Sequence, residues 1–191
     1  PSSFWRKAAY RGGQLSNFLR PEETCEMLTA LADAQLQWEQ DAKAEEGLRL
    51  FSAHASEEIG SFTALQMGEI MEAFARLQYQ DEELLQAVSR TVALTVSADS
   101  GRFSNAAAVK LLCSFQTVGV ADQAMMRSLS KLFMRRIVRE PLSATETAKV
   151  AIAFSALQVR DVGLFNATTL GLCRPDMVEA LSWQELSEVA T

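Results

Sequence analysis

Residues 62–93 read FTALQMGEIMEAFARLQYQDEELLQAVSRTVA, and this stretch decides the fold. Its first half places Leu65, Met67, Ile70, Met71, Phe74 and Leu77 at helical spacing. Thr63 and Gln66 make a capping box, in which the hydroxyl accepts the third amide and the Gln side chain reaches back to the cap. The second half opens at Asp81, a good N-cap. Glu82 and Glu83 follow in the first turn, where the helix dipole favours negative charge. Leu84, Leu85, Val88 and Val92 then form an apolar stripe. The stretch is a helical hairpin with a tight turn.

The pattern returns downstream. Phe74, Leu77 and Asp81 recur as Phe115, Val118 and Asp122, and again as Phe154, Leu157 and Asp161. The intervals are 41 residues (74 to 115) and 39 residues (115 to 154). The openings recur as Phe62-Thr63, Phe103-Ser104, Leu142-Ser143 and Leu181-Ser182, and two of them carry capping boxes, Ser143 with Glu146 and Ser182 with Glu185. Recurrence near 40 residues is the mark of a helical solenoid, because one hairpin cannot bury its apolar face alone. A degenerate first repeat begins at Leu19, where Met27, Leu28 and Leu31 match Ile70, Met71 and Phe74 at an offset of 43. The expectation is an all-α, right-handed α-solenoid of about four hairpins with repeats of 39–43 residues, plus a partial fifth from Leu181. It occupies residues 19–191. No alternating strand pattern competes with it.

Residues 1–18 form a basic, aromatic extension in which Phe4, Trp5 and Tyr10 alternate with Arg6, Lys7 and Arg11. Gly12-Gly13 is expected to break any helix there. Two readings stay open for this extension: an arm that docks on an acidic surface, or a helix packed as a cap.

The 191 residues suffice for a sizeable core, and 48% hydrophobic with 22% charged residues is ordinary for a globular chain. No apolar run is long enough to span a bilayer, so no membrane insertion is expected. Cys25, Cys113 and Cys173 are odd in number and lack metal-ligand spacing, which favours free thiols. His54 has no marked partners, and Gly12-Gly13 lacks the Lys-Ser or Lys-Thr of a phosphate-binding loop. Asp81, Asp122 and Asp161 are read as N-caps, and Phe74, Phe115 and Phe154 as core residues. No catalytic residue, metal or cofactor is expected.

The net charge of −6 is unevenly spread. Residues 21–60 hold ten acids against Lys43 and Arg49, whereas residues 103–141 hold six basic residues against Asp122 and Glu140. Arg127, Lys131 and Arg135 are four apart and share one helix face. Arg136 and Arg139 lie near that helix end, and Arg90 stands at the position of Lys131 one repeat earlier. This constellation suits an RNA phosphate backbone. The candidate RNA-binding residues are therefore Arg90, Arg127, Lys131, Arg135 and Arg136.

The repeat, with its Phe/Leu-Ser/Thr opening, Ala73-Phe-Ala-Arg-Leu77 and Asp81-Glu-Glu-Leu-Leu85, resembles the helical hairpins of the octotricopeptide, heptatricopeptide and FAST-kinase/RAP-domain proteins. That resemblance covers residues 19–191. It implies an organellar location, the mitochondrion before the plastid, and RNA-related work without catalysis. A subunit of the mitochondrial ribosome or a factor bound to it, touching RNA locally and neighbouring proteins widely, is the leading expectation. The exposed repeat positions Glu26, Glu69, Lys110, Lys149 and Glu188 alternate in sign, unlike a base-reading groove. The alternative is a pure protein scaffold, such as a subunit of a respiratory-chain assembly.

Overall fold

The computed structural model describes residues 2–98, 100–139, 142–182, 184 and 187, which form ten α-helices. In chain order these are α1 (Ser2–Leu15), α2 (Pro21–Asp33), α3 (Ala42–Glu57), α4 (Ala64–Arg76), α5 (Glu82–Ala98), α6 (Asn105–Val118), α7 (Gln123–Arg139), α8 (Ala144–Ala156), α9 (Val162–Leu172) and the short α10 (Pro175–Glu179). No strand occurs among the described residues. The even-numbered helices α2, α4, α6 and α8 pack in sequence as one layer, and α1, α3, α5, α7 and α9 as the other. Such neighbour-only stacking makes the molecule an α-solenoid of four hairpins. The expected fifth hairpin falls largely on residues 183, 185–186 and 188–191, outside the described residues.

Each hairpin closes with the same device. The peptide N–H of Tyr79 donates to the Phe74 carbonyl and that of Gln78 to the Ala75 carbonyl, a Schellman ending for α4. Leu36 to Leu31, Val120 to Phe115 and Val159 to Phe154 repeat the longer bond in the other three hairpins. This explains the recurring Phe: Phe74, Phe115 and Phe154 offer the capping carbonyl from buried rings. The residue that turns the chain is left-handed, at Gln35 (φ 49°), Gln78 (φ 54°), Gly119 (φ 76°) and Gln158 (φ 55°). The next helix then opens on an aspartate. The Asp41, Asp81, Asp122 and Asp161 side chains accept from the first-turn amides of α3, α5, α7 and α9.

Successive turns are stitched to one another. Trp38 Nε1 donates to the Leu77 carbonyl at 2.7 Å, and Gln80 Nε2 to the Val118 carbonyl at 3.3 Å. Each acceptor is the last carbonyl of a neighbouring helix, which lacks a partner within its own helix. The Trp38 and Tyr79 rings meet edge to face at 5.2 Å over the same join.

Gly12 and Gly13 do not break α1, which runs on to Leu15. The helix lies against α3 as α3 lies against α5. A Cβ on Gly13 would strike the Gly47 backbone, and a Cβ on Gly47 would strike the Ala9 carbonyl. A Cβ on Gly12 would come within 2.8 Å of the Phe51 ring. The glycines are there because the two helix backbones cross in contact. Pro175 follows the end of α9 and occupies the first position of α10, which suits its missing N–H.

Candidate nucleic-acid interface

Helix α7 starts from Asp122, whose carboxylate accepts the Met125 amide at 2.8 Å. Met125, Met126, Leu129, Leu132 and Phe133 fill the core. Helical spacing then forces Arg127, Lys131 and Arg135 onto the opposite face, and all three are exposed. Arg90 is exposed on α5, the neighbour of α7 in the same layer. None of these four takes part in an ion pair among the described residues. Arg127 donates to Gln123 Oε1 at 2.8 Å, a neutral acceptor that leaves its charge uncompensated.

Arg136 is placed differently. Its half-buried guanidinium donates to Asn105 Oδ1 at 2.6 Å and to the Phe103 carbonyl. It holds the start of α6 rather than extending the exposed row. The side chain of Arg139 lies outside the described residues.

Sequence reading did not single out Arg160. It is exposed in the turn before α9 and, with Arg127, lines a cavity of about 370 Å³. The available signal was its place directly before the N-cap Asp161, where the other hairpins have Gln40, Gln80 and Ala121. Asp161 itself is held by the Ser130 hydroxyl at 2.5 Å and the Leu164 amide at 3.0 Å. These bonds, the hydroxyl's first, keep its carboxyl below the usual carboxylate range.

The even-numbered layer carries a larger cavity of about 470 Å³, lined in part by Glu72, Arg76, Lys110, Cys113, Glu146 and Lys149. Its signs are mixed, as the sequence suggested, and Lys110 is bridged to Glu72 at 2.8 Å. Arg76, in turn, is bridged to Asp33. The acidic stretch at residues 39–46 belongs to the first hairpin, where Glu46 holds Arg49 at 2.8 Å.

His54 is half-buried on α3, and the three cysteines are free. Burial first, then Glu69 and Glu22, push the Cys25 thiol up to about 12, and burial also raises Cys113. Neither thiol gains thiolate character, which is what nucleophilic chemistry needs. No metal-holding group of three His, Cys, Asp or Glu side chains occurs among the described residues. Among them, no helix is long and apolar enough to cross a membrane.

The family model described as RNA-editing substrate-binding complex 6 protein matches residues 6–180. The chain belongs to that family. The RNA-editing substrate-binding complex 6 match begins inside α1 and closes just after α10, so it takes in all four hairpins. It carries the broader part of the sequence resemblance, a helical-repeat protein of an RNA-associated family. The finer resemblance, to the octotricopeptide, heptatricopeptide or FAST-kinase/RAP families, is not carried by that match. No curated protein matches the chain.

Proposed function

We propose that this chain is a non-catalytic subunit of an RNA-editing substrate-binding assembly of the mitochondrion. In this reading Arg90, Arg127, Lys131 and Arg135 meet RNA phosphates, and the other faces meet neighbouring protein subunits. The observation that carries it is the row of unpaired cations on α5 and α7 in a chain of this family. The family description names an RNA-editing complex, so that assembly takes the place the mitochondrial ribosome held on sequence grounds. The same editing context favours the mitochondrion over the plastid.

The chemistry of the row fits backbone contact without base reading. Among the described residues, the large aromatic side chains that are exposed, Phe4 and Phe18, belong to α1 and the turn after it, not to α5 or α7. Cations without stacking partners hold phosphates and carry no sequence information. The exposed Leu94 and Leu170, on α5 and α9, suit protein neighbours on the same layer.

The test is charge reversal of Arg127, Lys131 and Arg135 to Glu, with structured RNA titrated across a salt series. Affinity should fall by at least about tenfold, and the salt dependence should flatten by roughly 0.7–0.9 for each phosphate no longer neutralised. Circular dichroism should stay unchanged, because these side chains are exposed. Unaltered RNA binding, or loss of a protein partner alone, would favour a pure scaffold instead.

A further inference from the structure

The hairpin turns lie next to one another along the solenoid, as their stitching by Trp38 and Gln80 shows. Between the third and fourth turns this edge opens into the cavity of about 370 Å³. Arg127 reaches it from the second turn of α7 and Arg160 from the turn before α9. Leu157 and Val159 form an apolar part of its wall. Asp161 also lines it, but its two oxygens are already committed to the Ser130 hydroxyl and the α9 amide. Two guanidinium groups against one engaged carboxylate leave the cavity positive.

The chain contains its own control. A second cavity on the turn edge, of about 290 Å³, lies between the first and second turns. Its cation, Arg76, is bound to Asp33 at 2.6 Å, and Glu39 adds a carboxylate to the wall. Five residues after the N-cap aspartate, the four hairpins have Glu46, Gln86, Arg127 and Asn166. Directly before that aspartate they have Gln40, Gln80, Ala121 and Arg160. Arg127 at the one position and Arg160 at the other are alone among the four hairpins, and they line the same cavity.

We propose that this cavity is a phosphate seat for a single strand of RNA, gripped between Arg127 and Arg160. The strand leaves it along Lys131 and Arg135. Guanidinium forks match phosphate oxygens in pairs, and the apolar wall lowers the local dielectric and strengthens the interaction. This deepens the RNA reading above and rests on it. It adds a fixed point, so the RNA enters over the turn edge instead of crossing the helix face at random.

The experiment uses the full chain and a labelled oligouridine followed by fluorescence anisotropy across a salt series. Arg160→Gln should weaken binding about three- to tenfold and flatten the single-strand salt slope by about 0.7. Arg160→Lys, which keeps the charge and loses the fork, should fall between Gln and the native residue. Arg76→Gln, in the control cavity, should bind like the native chain. Native affinity in Arg160→Gln, with weakened binding in Lys131→Glu/Arg135→Glu, would overturn the seat and leave the α7 reading standing. Native affinity in both variants would overturn both. A phosphoserine peptide whose binding needs Arg160, while RNA binding does not, would also overturn the RNA assignment.

Discussion

The chain up to α4 and the chain from α5 onward treat their cations differently. In the first half, Arg6 faces Asp41 at 3.9 Å, Arg20 faces Glu23 at 3.2 Å, Arg49 faces Glu46 at 2.8 Å and Arg76 faces Asp33 at 2.6 Å. From α5 onward, Lys110 pairs with Glu72 and Arg174 with Asp176, but Arg90, Arg127, Lys131, Arg135 and Arg160 have no ion-pair partner among the described residues. The scaffold is the same in both halves, down to the Schellman turns and aspartate caps. What changes is where charge is cancelled. Exposed ion pairs are worth about 0–1 kcal/mol each, so pairing contributes little to stability. Its consequence is electrostatic: a phosphate approaching the paired arginines of α2 to α4 meets cancelled charge, and one approaching α7 meets uncompensated positive charge.

The core is where a single substitution does most damage. Phe115 is fully buried, and its carbonyl caps the third hairpin. Phe115→Ala should cost about 3–5 kcal/mol. Because a solenoid is held by nearest neighbours, the damage should take α7 and RNA affinity with it. Urea unfolding monitored alongside RNA binding checks this. Retained RNA affinity in a chain with a lowered unfolding midpoint would show that the cationic face does not need the third hairpin intact.

Gly47→Ala breaks the other end. The new methyl would strike the Ala9 carbonyl, so α1 must shift against α3, at a cost of about 1–3 kcal/mol. Here RNA affinity should stay close to the native value, because Arg127, Lys131 and Arg135 lie two hairpins away. Equal loss of affinity in Gly47→Ala would refute the division between the halves.

These two residues also show what was legible in the sequence. The hairpins were readable because caps and apolar stripes are local signals: Thr63, Ser143, Asp81 and Phe74 announce themselves within a few residues. The continuity of α1 was not, because Gly12 and Gly13 act through Gly47 and Phe51, more than thirty residues away in sequence. Spacing alone found Arg127, Lys131 and Arg135, which follow from a helix with one buried face. It placed Arg136 with them, because it could not see the Phe103 carbonyl one helix back. Arg160 escaped because a single turn residue has no periodicity, and only packing sets it beside Arg127.

A smaller effect sharpens the comparison at the join between the last hairpins. Asp161 has a carboxyl lowered chiefly by the Ser130 hydroxyl. A carboxyl lower in the folded state than in the unfolded chain stabilises fully above its unfolded value. That stabilisation fades as pH falls through the folded value. Ser130→Ala removes the leading cause, so the folded carboxyl should return toward its ordinary range. Stability at neutral pH should drop by about 1–2 kcal/mol, with less further loss on acidification than in the native chain. Urea midpoints at pH 7 and pH 4 test this, and parallel acid curves for the two proteins would count against it.

The smallest effect concerns the turns themselves. Gln78 is left-handed at φ 54°, as Gln35 and Gln158 are, whereas the third hairpin has Gly119 at φ 76°. A side chain in this region brings its Cβ against the following carbonyl, at about 1 kcal/mol. Glycine removes that clash but gains freedom in the unfolded chain, which offsets part of the benefit. Gln78→Gly should therefore stabilise by about 0.5 kcal/mol, and Gly119→Ala should destabilise by about 1 kcal/mol. Opposite signs at equivalent positions of two hairpins are a stringent outcome, since both variants leave the buried core untouched. Should Gln78→Gly lower the unfolding midpoint instead, the Gln78 side chain must make an interaction worth more than the clash it relieves. The second hairpin turn would then be held by its side chain and the third by its backbone alone.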